Sequence, residues 1–177
     1  MRTAAYFSYI PKRIRTADEI VNRVRNFIYA FKDGKRKATD YAISLVANTL
    51  NKWYGASCED YVLCCVPSAN NYKYIVRFKR FAEQVSKLTG VQNGTAHVNI
   101  FGQREAKHTN ARHIVSESYG YIVSADPDFF QGKTVILFDD LITTGETANS
   151  FAKELEAVGA TVIGAMFLAR TRTTTNN

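Results

Sequence analysis

Apolar residues recur at three- and four-residue steps in four parts of the chain, which is the spacing of a helix with one buried face. In the first part Ile20, Val24 and Phe27 follow this spacing, and the charged stretch "KDGKRK" ends it. The predicted helices cover residues 17–31, a segment from about Thr39 or Asp40, either of which could cap it, to Gly55, residues 74–88 before Gly90, and residues 146–158.

Short apolar runs without helical spacing separate these helices. The run "YVLCCVP", residues 61–67, is closed by a proline, as expected for a strand covered on both faces. Similar runs predict strands at 134–138 and 161–168, and "HVNIF" and "YGYIV" are weaker candidates. Strands that alternate with helices of this length favour an α/β fold with an open, mostly parallel twisted sheet and helices on both faces.

The length and composition favour one folded unit. A chain of 177 residues with 46% hydrophobic content can bury one sizeable core and is short for two, so residues 1–177 are interpreted as a single domain. No apolar run approaches the roughly 20 residues that span a bilayer, and the N-terminus lacks the pattern of a cleaved leader. We therefore expect a soluble, cytoplasmic protein with no membrane partner.

The charge of the chain favours anionic ligands without choosing among them. There are 23 lysines and arginines against 16 acidic residues, a formal charge of +7 that would attract nucleic acid, an anionic membrane or a polyphosphate. The three cysteines are odd in number and lack the paired spacing of a zinc site, so we interpret them as buried apolar residues.

The stretch "VILFDDLITTGET", residues 135–147, combines groups that suit a phosphorylated sugar. It joins a predicted strand to a predicted helix, which is where ligands bind in open α/β sheets. The helix start offers unpaired N–H groups and a positive dipole end, so residues 143–147 predict a phosphate cradle. The carboxylates of Asp139 and Asp140 suit sugar hydroxyls or a hydrated cation. Together these groups describe a ribose 5-phosphate site.

A purely structural explanation of this stretch is that the two acids end a strand and Thr143 or Thr144 caps a helix. Adjacent carboxylates at the end of a buried strand repel each other, however, so without a ligand they would only destabilise the fold. We therefore prefer the binding interpretation. The Walker A and G-x-G-x-x-G patterns are absent from the sequence.

The same thirteen residues resemble the phosphoribosyl pyrophosphate (PRPP) signature of type I phosphoribosyltransferases: four apolar residues, two acids, two apolar residues and T-T-G-x-T. The resemblance implies that family's fold, with a small hood region, and transfer of 5-phosphoribose from PRPP to a nitrogenous base or amine with release of pyrophosphate. It assigns the ribose 2′ and 3′ hydroxyls, and so the catalytic centre, to Asp139 and Asp140. It assigns the 5′-phosphate to Thr143, Thr144, Gly145, Glu146 and Thr147.

A second loop, within "CCVPSANN", resembles the pyrophosphate loop of these enzymes. The matching positions are Pro67, Ser68, Ala69 and Asn70. With the stretch "FKDGKRKATDYAISLVANTL" before it and the signature after it, the chain from about residue 27 onward resembles the transferase domain of the competence-associated ComF group. Two departures stand out: the cysteine-rich zinc ribbon of many members is not in this sequence, and R-G-[FY]-N-Q reads "VRFKRFAEQ", in which Arg77, Lys79 and Arg80 stay basic.

The resemblance also implies a cofactor and moving parts. Mg²⁺ would be held largely by substrate oxygens and water, with no direct protein ligand assigned and with Asp139 and Asp140 able to reach it through water. Residues 93–116 occupy the place of the flap that closes over PRPP, where Arg104 and Lys107 are either pyrophosphate contacts or part of a solvated basic loop. The N-terminal residues and parts of 91–120 are expected to form the hood and flexible loop, and the resemblance allows a homodimer.

The acceptor and one alternative function stay open. Related 6-oxopurine enzymes carry an aspartate where this chain has Thr143, and threonine cannot take a proton near pH 7. An orotate-like, ComF-like or unassigned acceptor is therefore favoured over hypoxanthine or guanine. The alternative is a non-enzymatic PRPP sensor, or a ComF-like nucleic-acid-associated protein, that binds DNA or RNA through "KRIR", "KDGKRK" and "RFKR".

Overall fold

A computed structural model describes residues 2–68, 70–101 and 122–172. Its main sheet has five parallel strands in the order β1-β7-β6-β2-β3. These strands are β1 (Arg2–Tyr9), β2 (Tyr61–Cys65), β3 (Gln92–Asn93), β6 (Thr134–Ile142) and β7 (Thr161–Thr171). Two further strands, β4 (Val98–Phe101) and β5 (Ile122–Ala125), form a separate antiparallel pair. The helices are α1 (Glu19–Lys32), α2 (Arg36–Tyr54), α3 (Asn71–Thr89), α4 (Pro127–Phe130) and α5 (Glu146–Ala157).

Buried aromatic residues hold the helices against the sheet. Phe138 of β6 stacks on Phe81 of α3 with 4.1 Å between ring centroids, and Phe31 of α1 meets both rings edge-on. On α5, Phe151 and Leu155 are fully buried. Because successive strand residues point to opposite faces, β6 is covered on both sides, as its apolar run predicts. The predicted α/β fold with a parallel sheet and helices on both faces is confirmed.

Helix α2 begins at Arg36, one turn earlier than predicted, so the prediction that Thr39 or Asp40 caps it is wrong. Thr39 is instead buried inside the helix, and its N–H donates to the carbonyl of Lys35 at 3.0 Å. The earlier start follows from a tight turn at Gly34, which has a positive φ of 66° and leaves only three residues between α1 and α2.

The first strand, β1, was not predicted, because its apolar residues do not alternate regularly with polar ones. It pairs with β7 at one edge of the sheet, and the hydroxyl of Tyr6 ties it to α2 by donating to Thr49 Oγ1 at 2.7 Å. The two weaker strand candidates form β4 and β5, and they pair with each other rather than with the main sheet. No helix in the described ranges is long and apolar enough to cross a membrane.

Candidate functional site

The strand order places a crevice between β2 and β6. From β2 the chain passes through α3 to β3 on one side, whereas from β6 it passes through α5 to β7 on the other. Right-handed crossovers in opposite directions put α3 and α5 on opposite faces, and ligands in open α/β sheets bind where the direction changes. The Val66 N–H donates to the Phe138 carbonyl at 2.8 Å, so the loop after β2 begins beside the middle of β6, next to Asp139 and Asp140. The end of β6, the loop after it and the loop after β2 carry the residues that were predicted to bind PRPP.

The loop after β6 forms a small cleft at the start of α5. Its volume is about 100 Å³. Five of the predicted residues line it: Asp139, Thr143, Thr144, Gly145 and Thr147. The first-turn N–H groups of α5 and its positive dipole end lie at this cleft, where they favour an anion.

Gly145 sets the geometry of the turn into α5. Its φ of 85° and ψ of 0° are left-handed, and its carbonyl accepts the helical hydrogen bond from Asn149 N at 2.9 Å. A Cβ at this position would lie 3.4 Å from Ile142 Cδ1 and would be strained by the backbone angle. Glycine therefore allows the chain to turn sharply at the cleft.

Two neighbouring side chains of this loop have partners in the protein. The hydroxyls of Thr143 and Thr171 share a hydrogen bond of 3.1 Å, which links the loop to the end of β7. Thr144 Oγ1 accepts from the Glu146 N–H at 3.4 Å. Glu146 is exposed in the first turn of α5 and does not line the cleft. Of the predicted phosphate cradle, Glu146 could therefore contribute only its main chain.

The loop after β2 is anchored under the start of α3. Pro67 and Ser68 are buried, and the Asn70 side chain caps α3 by accepting from the Lys73 N–H at 2.9 Å. The Tyr74 hydroxyl donates to the Cys65 carbonyl at 3.0 Å, which fixes the helix to the strand end. The amino end of α3 thus lies at the crevice as well.

Part of the predicted site lies outside the described residues. Ala69 of the predicted pyrophosphate loop falls there, and so do Arg104 and Lys107 with most of the predicted flap. Their predicted roles stay predictions.

The two acids of the signature point to opposite faces of the sheet. Asp139 is half-buried and lines the cleft on the α5 side. Asp140 is 3% exposed and points to the α1 and α3 side. Its Oδ2 lies 2.7 Å from Arg77 Nη1, and its Oδ1 lies 3.4 Å from Lys32 Nζ. In this conformation only Asp139 faces the cleft.

The Asp140 ion pair is close without being ideal. The 2.7 Å contact with Arg77 lacks the angles of a hydrogen bond, and Arg77 Nε has no hydrogen-bond partner among the described residues. Because both side chains are largely buried, removal of either charge would leave the other poorly compensated.

Burial and the neighbouring charge of Asp140 raise the pKa of Asp139 to about 8. Three nearby groups act in the opposite direction: the Asp140 N–H, which donates to Asp139 Oδ1 at 2.8 Å, and the positive charges of Arg77 and Lys32. The carboxyl group that faces the cleft is therefore held by the main chain of the next residue.

The sequence alone does not predict the partners of Asp140. Arg77 stands out there only as a basic residue, although it falls between Tyr74 and Phe78 on the helix face that packs inward, which is a signal of burial. Lys32, the last residue of α1, is the first residue of the charged stretch "KDGKRK". Nothing in their spacing from residue 140 connects either one to it.

A larger cavity of about 280 Å³ lies between α3 and the segment of β3 and β4. Lys79, Glu83, Asn93 and Asn99 are among its lining residues. Its lining includes none of the residues assigned to PRPP, although Asn93 and Asn99 belong to the segment predicted to form the flap and hood. Its size alone therefore does not make it the PRPP site.

The sequence matches no protein-family model and no curated protein. The fold, however, matches an adenine phosphoribosyltransferase structure with a TM-score of 0.53 and 16% identity, over 76% of this chain and 70% of that enzyme. The chain has a phosphoribosyltransferase fold. A second match is the Saccharomyces cerevisiae adenine phosphoribosyltransferase, in complex with adenine and an imino-altritol bisphosphate, at a TM-score of 0.52 and 16% identity, over 77% of this chain and 71% of that one.

Proposed function

We propose that the protein binds PRPP and transfers its 5-phosphoribosyl group to a nitrogenous acceptor with release of pyrophosphate. The observation that carries the proposal is the cleft at the end of β6, where the start of α5 and the carboxylate of Asp139 lie together at the crevice of a phosphoribosyltransferase fold. A helix start suits the 5-phosphate, and a carboxylate suits the ribose hydroxyls.

The neighbouring loop suits the pyrophosphate. Because β2 is hydrogen-bonded to β6, Ser68 and Asn70 follow the strand next to β6 and precede the amino end of α3. The dipole of α3 favours negative charge there. The donor would then span two adjacent strand ends, with its phosphate near α5 and its pyrophosphate near α3.

Mg²⁺ fits this arrangement, because a carboxylate and hydroxyl oxygens are the hard donors that it prefers. Asp139 would hold it through water, and because a nearby cation favours the charged form of a carboxyl group, the ion would counteract the burial that raises the pKa of Asp139. Substrate oxygens would supply most of the coordination. When bound, the ion supplies charge neutralisation for the departing pyrophosphate.

The groups of the chain bind and orient the donor for substitution at C1. The C1–O bond breaks and its electron pair leaves with pyrophosphate, while the lone pair of the acceptor nitrogen forms the new C1–N bond on the opposite face. The acceptor then releases its proton to water. The protein contributes positioning and fixed dipoles rather than a covalent intermediate.

An activity assay tests the proposal. The protein is incubated with PRPP, Mg²⁺ and a panel of acceptors that includes orotate, hypoxanthine, guanine and adenine, the last because a structural neighbour is complexed with it. The expected result is pyrophosphate release that depends on one acceptor and falls at least about a hundredfold in Asp139→Asn. PRPP consumption that is absent with every acceptor would contradict the transferase function.

The nucleic-acid alternative has weaker support. Two of its three basic segments contribute side chains to ion pairs: Arg36 and Arg80 with Asp40, and Lys32 and Arg77 with Asp140. In the third segment, residues 12–15, the three basic side chains form no ion pair with an acidic residue in the described part of the chain. One of them, Lys12, lies over the ring of Tyr29. Binding to DNA or RNA that weakens steeply with salt and responds to PRPP would favour this alternative.

A further inference from the structure

We propose that the two acids of the signature have different tasks: Asp139 alone binds the ribose diol, and Asp140, held by Arg77 and Lys32, is a positioning residue for Asp139. This inference rests on the proposed function, because it concerns how the same site recognises the sugar. It departs from the expectation that both carboxylates contact the hydroxyls.

The side chains of the two acids point in opposite directions. Asp139 and Asp140 are consecutive residues within β6, which runs to Ile142 and pairs with β7 along that length. Consecutive residues of a strand point to opposite faces. Asp139 therefore faces the cleft beside α5, and Asp140 points under the opposite face, where it is 3% exposed.

Two helices contribute the basic residues that contact Asp140. Arg77 approaches from the second turn of α3 at 2.7 Å and Lys32 from the last residue of α1 at 3.4 Å. The buried carboxylate lies between two cations, and its rotation toward the cleft would leave both cations without this partner. Asp140 is thus not available to a ligand in this conformation.

A hydrogen bond connects Asp140 to Asp139. The Asp140 N–H donates to Asp139 Oδ1 at 2.8 Å. Arg77 and Lys32 hold the Asp140 side chain, which restrains, together with the pairing of β6 with β7, the peptide group whose N–H holds the Asp139 carboxylate. The connection runs from α1 and α3 through Asp140 to the group that faces the sugar.

Variants separate this arrangement from one in which both acids bind the diol. Arg77→Met and Asp140→Asn each break the connection, so both should weaken recognition of the hydroxyls. If Asp140 were itself a diol ligand, Arg77→Met would release it toward the cleft and keep or strengthen that recognition. The two arrangements thus predict opposite results for Arg77→Met.

The readout is the ratio of two affinities. Ribose 5-phosphate and 2-deoxyribose 5-phosphate share the phosphate and differ by one hydroxyl, and calorimetric titration of both gives the preference for the diol. At about pH 9, where the Asp139 carboxyl group is ionised, the wild-type protein should prefer ribose 5-phosphate by about tenfold, the value of one hydrogen bond to a charged group. Inorganic phosphate, titrated in parallel, reports on the cradle alone.

The matched control is Arg80→Met. Arg80 lies on α3, like Arg77, and forms an ion pair with Asp40 of α2. Arg80→Met therefore removes an arginine of the same helix and one ion pair, but it leaves the contacts of Asp140 intact. Thermal unfolding of all variants measures the structural cost. The double variant Arg77→Met with Asp140→Asn removes both charges of the main pair and guards against misfolding from a single unpaired buried charge.

The preference for ribose 5-phosphate over 2-deoxyribose 5-phosphate should fall to about twofold or less in Arg77→Met, in Asp140→Asn and in the double variant. The affinity for inorganic phosphate should not change in these variants. Arg80→Met should behave like the wild type. If Arg77→Met keeps or strengthens the preference for ribose 5-phosphate, the inference is overturned. It is also overturned if Arg77→Met only lowers the unfolding temperature and leaves the ratio of the two sugar phosphate affinities unchanged. If the wild-type protein binds neither sugar phosphate, the proposed function fails, and this inference fails with it.

Discussion

At the scale of single residues, the Asp139 carboxyl group is held in a partly dry cleft next to a second carboxylate, which raises its pKa to about 8. In the unfolded chain its pKa is about 4. Between these values the folded protein binds one proton more than the unfolded one, so this group lowers the free energy of unfolding as pH rises.

Asp139→Asn should remove that dependence. The unfolding free energy of the variant, relative to wild type, is expected to rise from about pH 4 to about pH 8 and then to level off, because above the folded pKa both states are ionised in the wild type. Urea unfolding at a series of pH values measures the difference. A difference that stays constant across the series would show that Asp139 titrates normally in the folded protein.

Gly145 supports a second prediction at this scale. Gly145→Ala places a Cβ at a φ of 85°, which costs about 1–2 kcal/mol and shifts the N–H groups of the cradle. Gly132→Ala is the matched control, because Gly132 has a φ of 72° with open space around it and lies before β6, at the opposite edge of the sheet. Both variants should unfold at lower temperature, and only Gly145→Ala should lose phosphate affinity. Equal phosphate binding by the two would contradict the cradle.

At the scale of elements, α3 and α1 offer a matched pair of caps. Asn70 caps α3 beside the crevice, and Asp18 caps α1 by accepting from Ile20 N and Val21 N. Alanine at either position should cost about 1 kcal/mol of stability. Only Asn70→Ala should also weaken pyrophosphate binding, measured by calorimetry, because it loosens the helix end that faces this anion. The same affinity in both variants would remove α3 from the site.

The element types were largely predictable from the sequence, and their ends were less so. The pattern of α5 gave a helix at 146–158, close to the observed Glu146–Ala157. The strand before it was predicted to end at 138 because two acids follow, yet β6 continues to Ile142, since pairing of its backbone with β7 does not depend on side-chain polarity. That extension decides which way each acid points.

At the scale of the whole molecule, the sequence predicted a parallel sheet but not the order of its strands. The neighbours of a strand depend on long-range packing, which the local pattern does not contain. The cleft residues from Asp139 to Thr147 could be predicted from the sequence, because they are contiguous and belong to one motif. Lys32 and Arg77 come to Asp140 from two other helices, so only the fold could show their contacts.

Titration of the wild-type protein with PRPP in the presence of Mg²⁺ tests the central claim most directly. The cleft beside α5, with Asp139 in its wall, should give saturable heat with about one site per chain, and ribose 5-phosphate should compete for it. Absence of heat with both PRPP and ribose 5-phosphate at millimolar concentrations would contradict the claim that this crevice binds a phosphorylated pentose.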